Sequence, residues 1–219
     1  MGVIVKRGIY IGLVVLLAGS LVSCASKETP VAQAPEACAT TSALAHSGKD
    51  VAAPTAILTE KISTITLKTN CGDIEISVDQ TNAPVTVTAI TALARAGFYD
   101  ASLCHRLTTA GLFVLQCGDP TATGGGPSSF TYRDENLPAQ IENNYPAGTV
   151  AMANSGANTN GSQFFLVYKD TTLGSNYTIW GKITSGLDVV QKVAAAGVVD
   201  GSGDGTPALT VAIESVVVK

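Results

Sequence analysis

Between residues 64 and 78, apolar and polar side chains alternate on both sides of a turn. Ile65 and Leu67 alternate with Thr64, Thr66 and Lys68. Ile74, Ile76 and Val78 alternate with Glu75 and Ser77, and Asn70-Cys71-Gly72-Asp73 lies between the two runs. A period of two puts one face of a strand in the core, and a turn of Asn, Gly and Asp lets the next strand return alongside it. The segment therefore predicts an antiparallel hairpin. Similar patterns recur downstream. Arms near Leu103–Leu107 and Phe113–Cys117 predict a second hairpin with Gly111 in its turn, and further strands are predicted near 149–152, 163–168, 178–183 and 209–218. Only two segments carry helical spacing. Pro84 opens the first, with Val87, Ile90, Leu93 and Ala94 on one face and Gly97 as its stop; the second covers about 187–195. Many strands and two short helices predict a mainly β fold, a closed antiparallel barrel with helices over its ends.

Composition narrows the function classes. At 219 residues there is room for one ordinary domain with appendages. The 46% hydrophobic content excludes a disordered chain. With 13 Lys+Arg against 17 Asp+Glu the net charge is −4, so the basic footprint that nucleic acid requires is absent. Two histidines and five dispersed cysteines, without C-x-x-C or H-x-x-x-H spacing, offer no metal site.

The N-terminus reads as an address. Lys6 and Arg7 precede an apolar stretch of about a dozen residues, too short to cross roughly 30 Å of hydrocarbon. The stretch ends in Leu21-Val22-Ser23-Cys24 and resembles a bacterial lipoprotein signal with its lipobox, which implies lipid attachment at Cys24 and removal of residues 1–23. A plain signal peptide cleaved nearby is the competing reading. Cleavage removes two of the basic residues and none of the acidic ones, leaving −6, so lipid rather than basic residues would hold the chain at the membrane. Residues 24–58, rich in Ala, Thr, Ser and Pro and without sustained period, read as a flexible tether, in which Cys38 is the residue that does not suit a passive linker. The folded domain is then expected over 59–219.

Within that domain several blocks occur in a telling order: Cys104-His105-Arg106, Phe113-Val114-Leu115-Gln116-Cys117-Gly118-Asp119-Pro120, Asp134-Glu135-Asn136, Met152-Ala153-Asn154-Ser155-Gly156, Asn158 through Phe165, and Trp180-Gly181-Lys182-Ile183. From about Ile65 to Val218 the chain resembles the cyclophilin-type peptidyl-prolyl cis/trans isomerases. The resemblance implies an eight-stranded antiparallel barrel capped by two helices, isomerisation of X-Pro bonds, and no cofactor. With the export signal it implies proline-containing exported polypeptides as clients and a monomer anchored by lipid to the extracytoplasmic side of the cell membrane.

The chemistry asked of such a site is modest. The X-Pro barrier of about 18–20 kcal/mol is lost amide resonance, and no covalent intermediate is needed to lower it. A fixed donor aimed at the pyramidalising proline nitrogen favours the twisted amide. Arg106 matches the family's catalytic arginine, an always-charged planar fork of donors. Phe113, Val114, Phe165 and Leu173 match the apolar cup for the proline ring, and Gln116 and Asn154 match the amides near the arginine. Ala153 and Ser155 would line the peptide groove. The departures are local. Six residues, Leu107 to Leu112, separate Arg106 from Phe113, two more than in the best-known eukaryotic members. Tyr177 stands where those carry histidine, and Thr172 where they carry the tryptophan that helps bind cyclosporin. Catalysis is carried over; tight cyclosporin binding is not.

Outside the resemblance, His105 is expected to face away from the groove because strand neighbours alternate. Gly124-Gly125-Gly126 lacks the Lys-Ser/Thr of a phosphate loop and reads as a surface loop. With Cys24 lipidated, four cysteines remain and permit three full pairings. Cys104 and Cys117 lie symmetrically about Ala110-Gly111 and would face each other across the hairpin, either as a disulfide or as two buried thiols. Cys38 and Cys71 would then pair, pinning the tether to the first hairpin, or stay free. Two function classes stand: an isomerase, and a non-catalytic proline-peptide-binding module or holdase on the same scaffold.

Overall fold

The computed structural model describes residues 1–4, 8, 37–126 and 129–219. Cys24, most of the expected signal and the tether up to residue 36 lie outside the described residues. The architecture below is that of the compact unit extending to Lys219.

β1 (Thr64–Thr69) and β2 (Gly72–Val78) form the first hairpin, paired from Thr69↔Gly72 back to Thr64↔Ser77. Its apolar alternates Ile65, Leu67, Ile74 and Ile76 are each at most 2% exposed. α1 (Pro84–Arg95) buries Val87, Ile90, Leu93 and Ala94 beneath it. Its N-cap, Ala83, has no side-chain oxygen for the open amides. Glu135 substitutes: its Oε1 accepts the Thr86 N–H at 2.6 Å from a distant loop, placing an anion at the positive end of the helix.

The remaining elements are β3 (Ser102–Leu103), β4 (Arg106–Thr108), β5 (Val114–Cys117), β6 (Thr149–Met152), β7 (Phe164–Val167), β8 (Ile179–Ser185), α2 (Leu187–Ala196), β9 (Asp204–Gly205) and β10 (Ala212–Val218). All ten strands join one antiparallel sheet in the order β3-β10-β1-β2-β8-β6-β7-β5-β4-β9. The expected closed eight-stranded barrel is therefore corrected to a curled, ten-stranded half-barrel. The arm read as one strand over 103–107 is divided at Cys104 and His105. β3 is laddered only to β10, and β4 only to β5 and β9. One further amide bond extends each ladder toward the seam, Cys104 N–H to Val211 O at 2.9 Å on the β10 side and His105 N–H to Gln116 O at 3.1 Å on the β5 side. No strand is laddered to both sides, so continuity there is carried by the chain. Trp180 is fully buried and meets Phe164 edge-on at 5.9 Å, in the main core.

Residues 37–62 have no helix or strand but are attached to the domain along their length. Cys38 is disulfide-bonded to Cys71 in the β1–β2 turn. The His46 N–H donates to Pro120 O at 2.8 Å, Lys49 Nζ to Ala96 O at the end of α1, Val51 N–H to Ser129 Oγ, and Leu58 N–H to Thr88 Oγ1. Where the sequence predicts a passive spacer to residue 58, the chain from Cys38 onward is a strap. A disulfide and scattered single hydrogen bonds, several of them to side chains, hold it, and these leave no periodic pattern.

Cys104 and Cys117 are also disulfide-bonded, with Cα atoms 4.1 Å apart. The register differs from the symmetric one expected. The ladder pairs Arg106 with Gln116 and Leu107 with Leu115, which, continued, would set His105 opposite Cys117. The chain leaves the ladder at His105, and that departure brings Cys104 into reach.

Candidate active site

Arg106 and Gln116 are cross-strand partners on β4 and β5, so their side chains emerge on the same face. The Arg106 Nη1 donates to Gln116 Oε1 at 3.2 Å. Arginine can only donate, so the Gln116 amide must present its oxygen here and its nitrogen elsewhere. That nitrogen donates to Gln163 Oε1 at 2.9 Å, and Gln163 Nε2 donates to Gly124 O at 3.0 Å. The result is a polar row with every amide orientation set. On its other edge Arg106 meets Asp204 of β9: Nε to Oδ1 and Nη2 to Oδ2, both 2.7 Å. The bidentate carboxylate raises the arginine pKa and lowers that of Asp204.

Beside this row lies an apolar cup, distinct from the main core. Val114, Ala151, Phe165, Val167 and Tyr145 are buried in it, and Leu112, Ala153, Leu173, Tyr177 and Ile179 pack around them. Phe165 meets Tyr177 edge-on at 5.4 Å, and Tyr145 lies 6.2 Å from both rings. The Tyr145 hydroxyl donates toward Tyr177 O at 3.1 Å and accepts the Tyr177 N–H at 3.1 Å, tying the 173–177 loop to the cup floor. Burial pushes the Tyr145 hydroxyl up to about 12, so it stays a neutral donor. Strand alternation explains the division of β5: Val114 faces the cup and Gln116 the polar row, while Leu115 and Cys117 enter the main core.

Phe113, the residue before β5, is not among the residues that form this cup. It packs with the main core, 6.0 Å from the Tyr168 ring, with Lys169 Nζ 4.3 Å above its own ring. Leu112 takes a place in the cup instead, two residues from Val114 on the same face. The loop after Arg106 thus supplies a cup wall.

Asn154 stands at the cup's margin. Its Nδ2 donates to Asn176 O at 2.8 Å and its Oδ1 accepts the Gly156 N–H at 3.2 Å. A cavity of about 410 Å³ continues beyond it, lined by Gln116, Ala153, Asn154, Ser155, Thr131 and Gln163 among others. Ala153 belongs to both cup and cavity. The far wall is the 119–126 loop. The buried Asp119 carboxylate organises it by accepting from Thr121, Thr123, Gly124 and Gly126. Burial raises the Asp119 pKa, but these bonds to the charged form outweigh it and hold the group below the usual carboxylate range. A side chain at Gly126 would overlap that carboxylate, which accounts for one glycine of the run. His105 contributes no bond to the polar row: both ring nitrogens are buried without hydrogen-bond partners. Burial pushes its pKa below the ordinary imidazole value, with Asp119 opposing and Arg106 reinforcing the shift.

The structure thus brings together Arg106, Gln116, Asn154, Val114, Ala153, Ser155, Phe165, Leu173 and Tyr177. Sequence reasoning missed Asp204, Gln163, Tyr145 and Leu112. Gln163 lies inside the Asn158–Phe165 run and Leu112 is two residues before Val114, so both had a signal. Asp204 had none, since a two-residue strand in a glycine-rich turn has no period. Three motif residues prove to be scaffold: Glu135 caps α1, Asn136 Nδ2 donates to Ile179 O at 2.7 Å, and Asp134 Oδ1 accepts from Asn160.

Comparison with known proteins gives this geometry relatives. Residues 64–218 match the family profile of "Cyclophilin type peptidyl-prolyl cis-trans isomerase/CLD". The chain is 42% identical over 163 residues to the probable peptidyl-prolyl cis-trans isomerase B of Mycobacterium tuberculosis, covering 69% of this chain and 53% of that protein. It is 43% identical over 160 residues to the protein of the same name from Mycobacterium leprae, covering 68% and 54%. It thus spans about half the length of the mycobacterial relatives. A cyclophilin-type isomerase from Cryptosporidium parvum superposes with a TM-score of 0.63 at 27% identity, covering 73% of this chain and 98% of the other. The same relative solved in the presence of the dipeptide Ala-Pro gives a TM-score of 0.62.

Proposed function

This chain belongs to the cyclophilin-type peptidyl-prolyl cis-trans isomerase family, and from that premise we propose that it accelerates cis/trans isomerisation of X-Pro bonds in exported polypeptides. The observation that carries the reading is the Arg106 guanidinium, fixed by Gln116 beside the apolar cup. A proline ring seated among Val114, Phe165, Leu173 and Leu112 would have its nitrogen at the cup's polar margin. Rotation about the X-Pro bond removes amide conjugation, and the nitrogen lone pair becomes available. A guanidinium N–H directed there stabilises the twisted state more than either planar one, which is the condition for catalysis. The Ala-Pro dipeptide present with the Cryptosporidium relative supports proline as the residue recognised.

Arg106→Ala should lower kcat/KM on an X-Pro peptide by about a hundredfold or more, as for loss of one transition-state donor, while the melting temperature barely moves. Arg106→Lys should also be poor, since a point charge lacks the planar fork. A folded Arg106→Ala protein with full activity would refute the role. Peptide binding without isomerisation by the parent protein would favour the holdase reading.

The cellular address belongs to the same proposal: a lipid on Cys24 holds the domain at the extracytoplasmic face of the membrane. The Leu21-Val22-Ser23-Cys24 pattern supports it, and two disulfides suit an oxidising compartment. Fatty-acid labelling should be lost in Cys24→Ser; label retained in that variant overturns the assignment.

A further inference from the structure

A guanidinium has five N–H bonds, and three of those on Arg106 are committed. Asp204 takes the Nε edge with two bonds of 2.7 Å, and Gln116 takes one from Nη1. Two remain. A bidentate carboxylate fixes both the position and the plane of the fork, so it also fixes where the two remaining bonds point.

Asp204 is itself fixed to the arm that carries Arg106. The turn from Asp200 to Gly205 folds back onto β4, with Leu107 paired to Gly205 and Thr108 to Asp204. The Thr109 N–H donates to Gly203 O at 2.7 Å. Within the turn, Ser202 Oγ donates to Asp200 Oδ1 at 2.7 Å, which occupies the second acid of the turn. Carboxylate and guanidinium therefore belong to neighbouring strands in one register.

Stability does not account for the contact. The two side chains are 42% and 54% exposed, and half-exposed ion pairs contribute little to folding. An arginine free on that edge would instead sample several rotamers.

We propose that Asp204 is a positioning residue for the reaction: it holds the Arg106 fork in the plane that directs a free N–H at the proline nitrogen. The inference rests on the donor role given to Arg106 above. The pKa directions of the pair agree with the geometry, raised at Arg106 and lowered at Asp204, chiefly through their shared hydrogen bonds.

The test uses the full mature chain with Asp204→Ala, Asp204→Asn and Asp204→Glu, each alone, and Asp204→Ala combined with Arg106→Ala. Asp204→Ala should lower kcat/KM about tenfold, mostly through kcat, because orientation and not substrate affinity is lost. The melting temperature should hold within about 2 °C, as for removal of a surface pair. The Arg106 Nε–Hε nuclear magnetic resonance signal should shift and exchange faster with solvent. Asp204→Glu, which keeps the carboxylate, should recover part of both the rate and the signal. In the Arg106→Ala background Asp204→Ala should cost nothing further. Unchanged kcat/KM in Asp204→Ala, or an additive loss in the double variant, overturns the inference while leaving Arg106 in place. So does a loss that follows the melting temperature and is not recovered by glutamate. If Asp204→Ala fails to fold, Asp204→Asn carries the same readings. Full activity in Arg106→Ala sinks the donor role itself and is thereby distinguished.

Discussion

Breaking the two disulfides should have opposite consequences to those their loop lengths suggest. Cys104–Cys117 spans 13 positions and Cys38–Cys71 spans 33. Loop-closure entropy assigns about 3 kcal/mol to the shorter and roughly 4 kcal/mol to the longer. The shorter one, however, joins the break between β3 and β4 to the end of β5 inside the main core, where Cys104 is 5% and Cys117 0% exposed. Its loop is freed only when the whole sheet comes apart, so the full loop-closure term is lost from global stability. For a domain of this size, about 3 kcal/mol corresponds to a drop of about 6–12 °C in Tm. The longer one ends on a strap held by isolated hydrogen bonds, which can lift while the core stays folded. Its removal should therefore lower Tm by less than the removal of the shorter one. It should appear instead as faster amide exchange at His46, Val51 and Leu58. The variants are Cys104→Ala/Cys117→Ala and Cys38→Ala/Cys71→Ala, alanine being chosen so that no hydroxyl is left in the core. Calorimetry gives Tm and hydrogen exchange gives the local opening. Tm losses that follow loop length, with no selective exchange in the strap, would refute the reasoning.

Other outcomes follow from single side chains. Phe165→Ala should cost about 3–5 kcal/mol of stability and lower kcat/KM at least tenfold, whereas Phe113→Ala should destabilise the fold and leave kcat/KM nearly unchanged; a matched activity loss in both would return Phe113 to the cup. The His105 pKa is lowered in the folded state, so the unfolded chain takes up its proton first as pH falls. Stability present above the unfolded value near 6.5 is then lost as pH falls through the lower folded value; denaturant titrations from pH 7.5 downward should show this dependence in the parent and not in His105→Leu. Glu135→Ala should cost about 0.5–2 kcal/mol by uncapping α1, with little change in activity, as read by chemical denaturation beside the isomerase assay.

Legibility in the sequence followed the physics of each feature. The β1–β2 hairpin and both helices were readable because one buried face imposes a period on the residues that form it. The seam at Cys104–His105 was not, because alternation continues through a place where the ladder partners change. The Arg106–Gln116 pair was legible through the motif order. Asp204 was not, since a contact between residues so far apart leaves no local trace. Phe113 is a different case: the resemblance puts it beside Val114 in one cup, whereas the chain entering β5 packs Phe113 with the main core and sets Leu112 beside Val114. The strap over 37–62 escaped because irregular chain held by side-chain partners looks, in composition, like a linker.

The clip at Cys38 also sets a leash. A tether running free from Cys24 to residue 58 would reach about 110–120 Å at full extension. Fastened at Cys38, the chain from the proposed lipid has only 14 steps, or at most about 50 Å. Were Cys24 lipidated as proposed, the groove would be confined to a thin layer over the bilayer, and polypeptides emerging from the membrane would meet the site at a local concentration set by that height and not by the volume of the compartment. Cutting the Cys38–Cys71 bond and lifting the strap from its remaining hydrogen bonds would more than double that reach without altering a single residue of the groove.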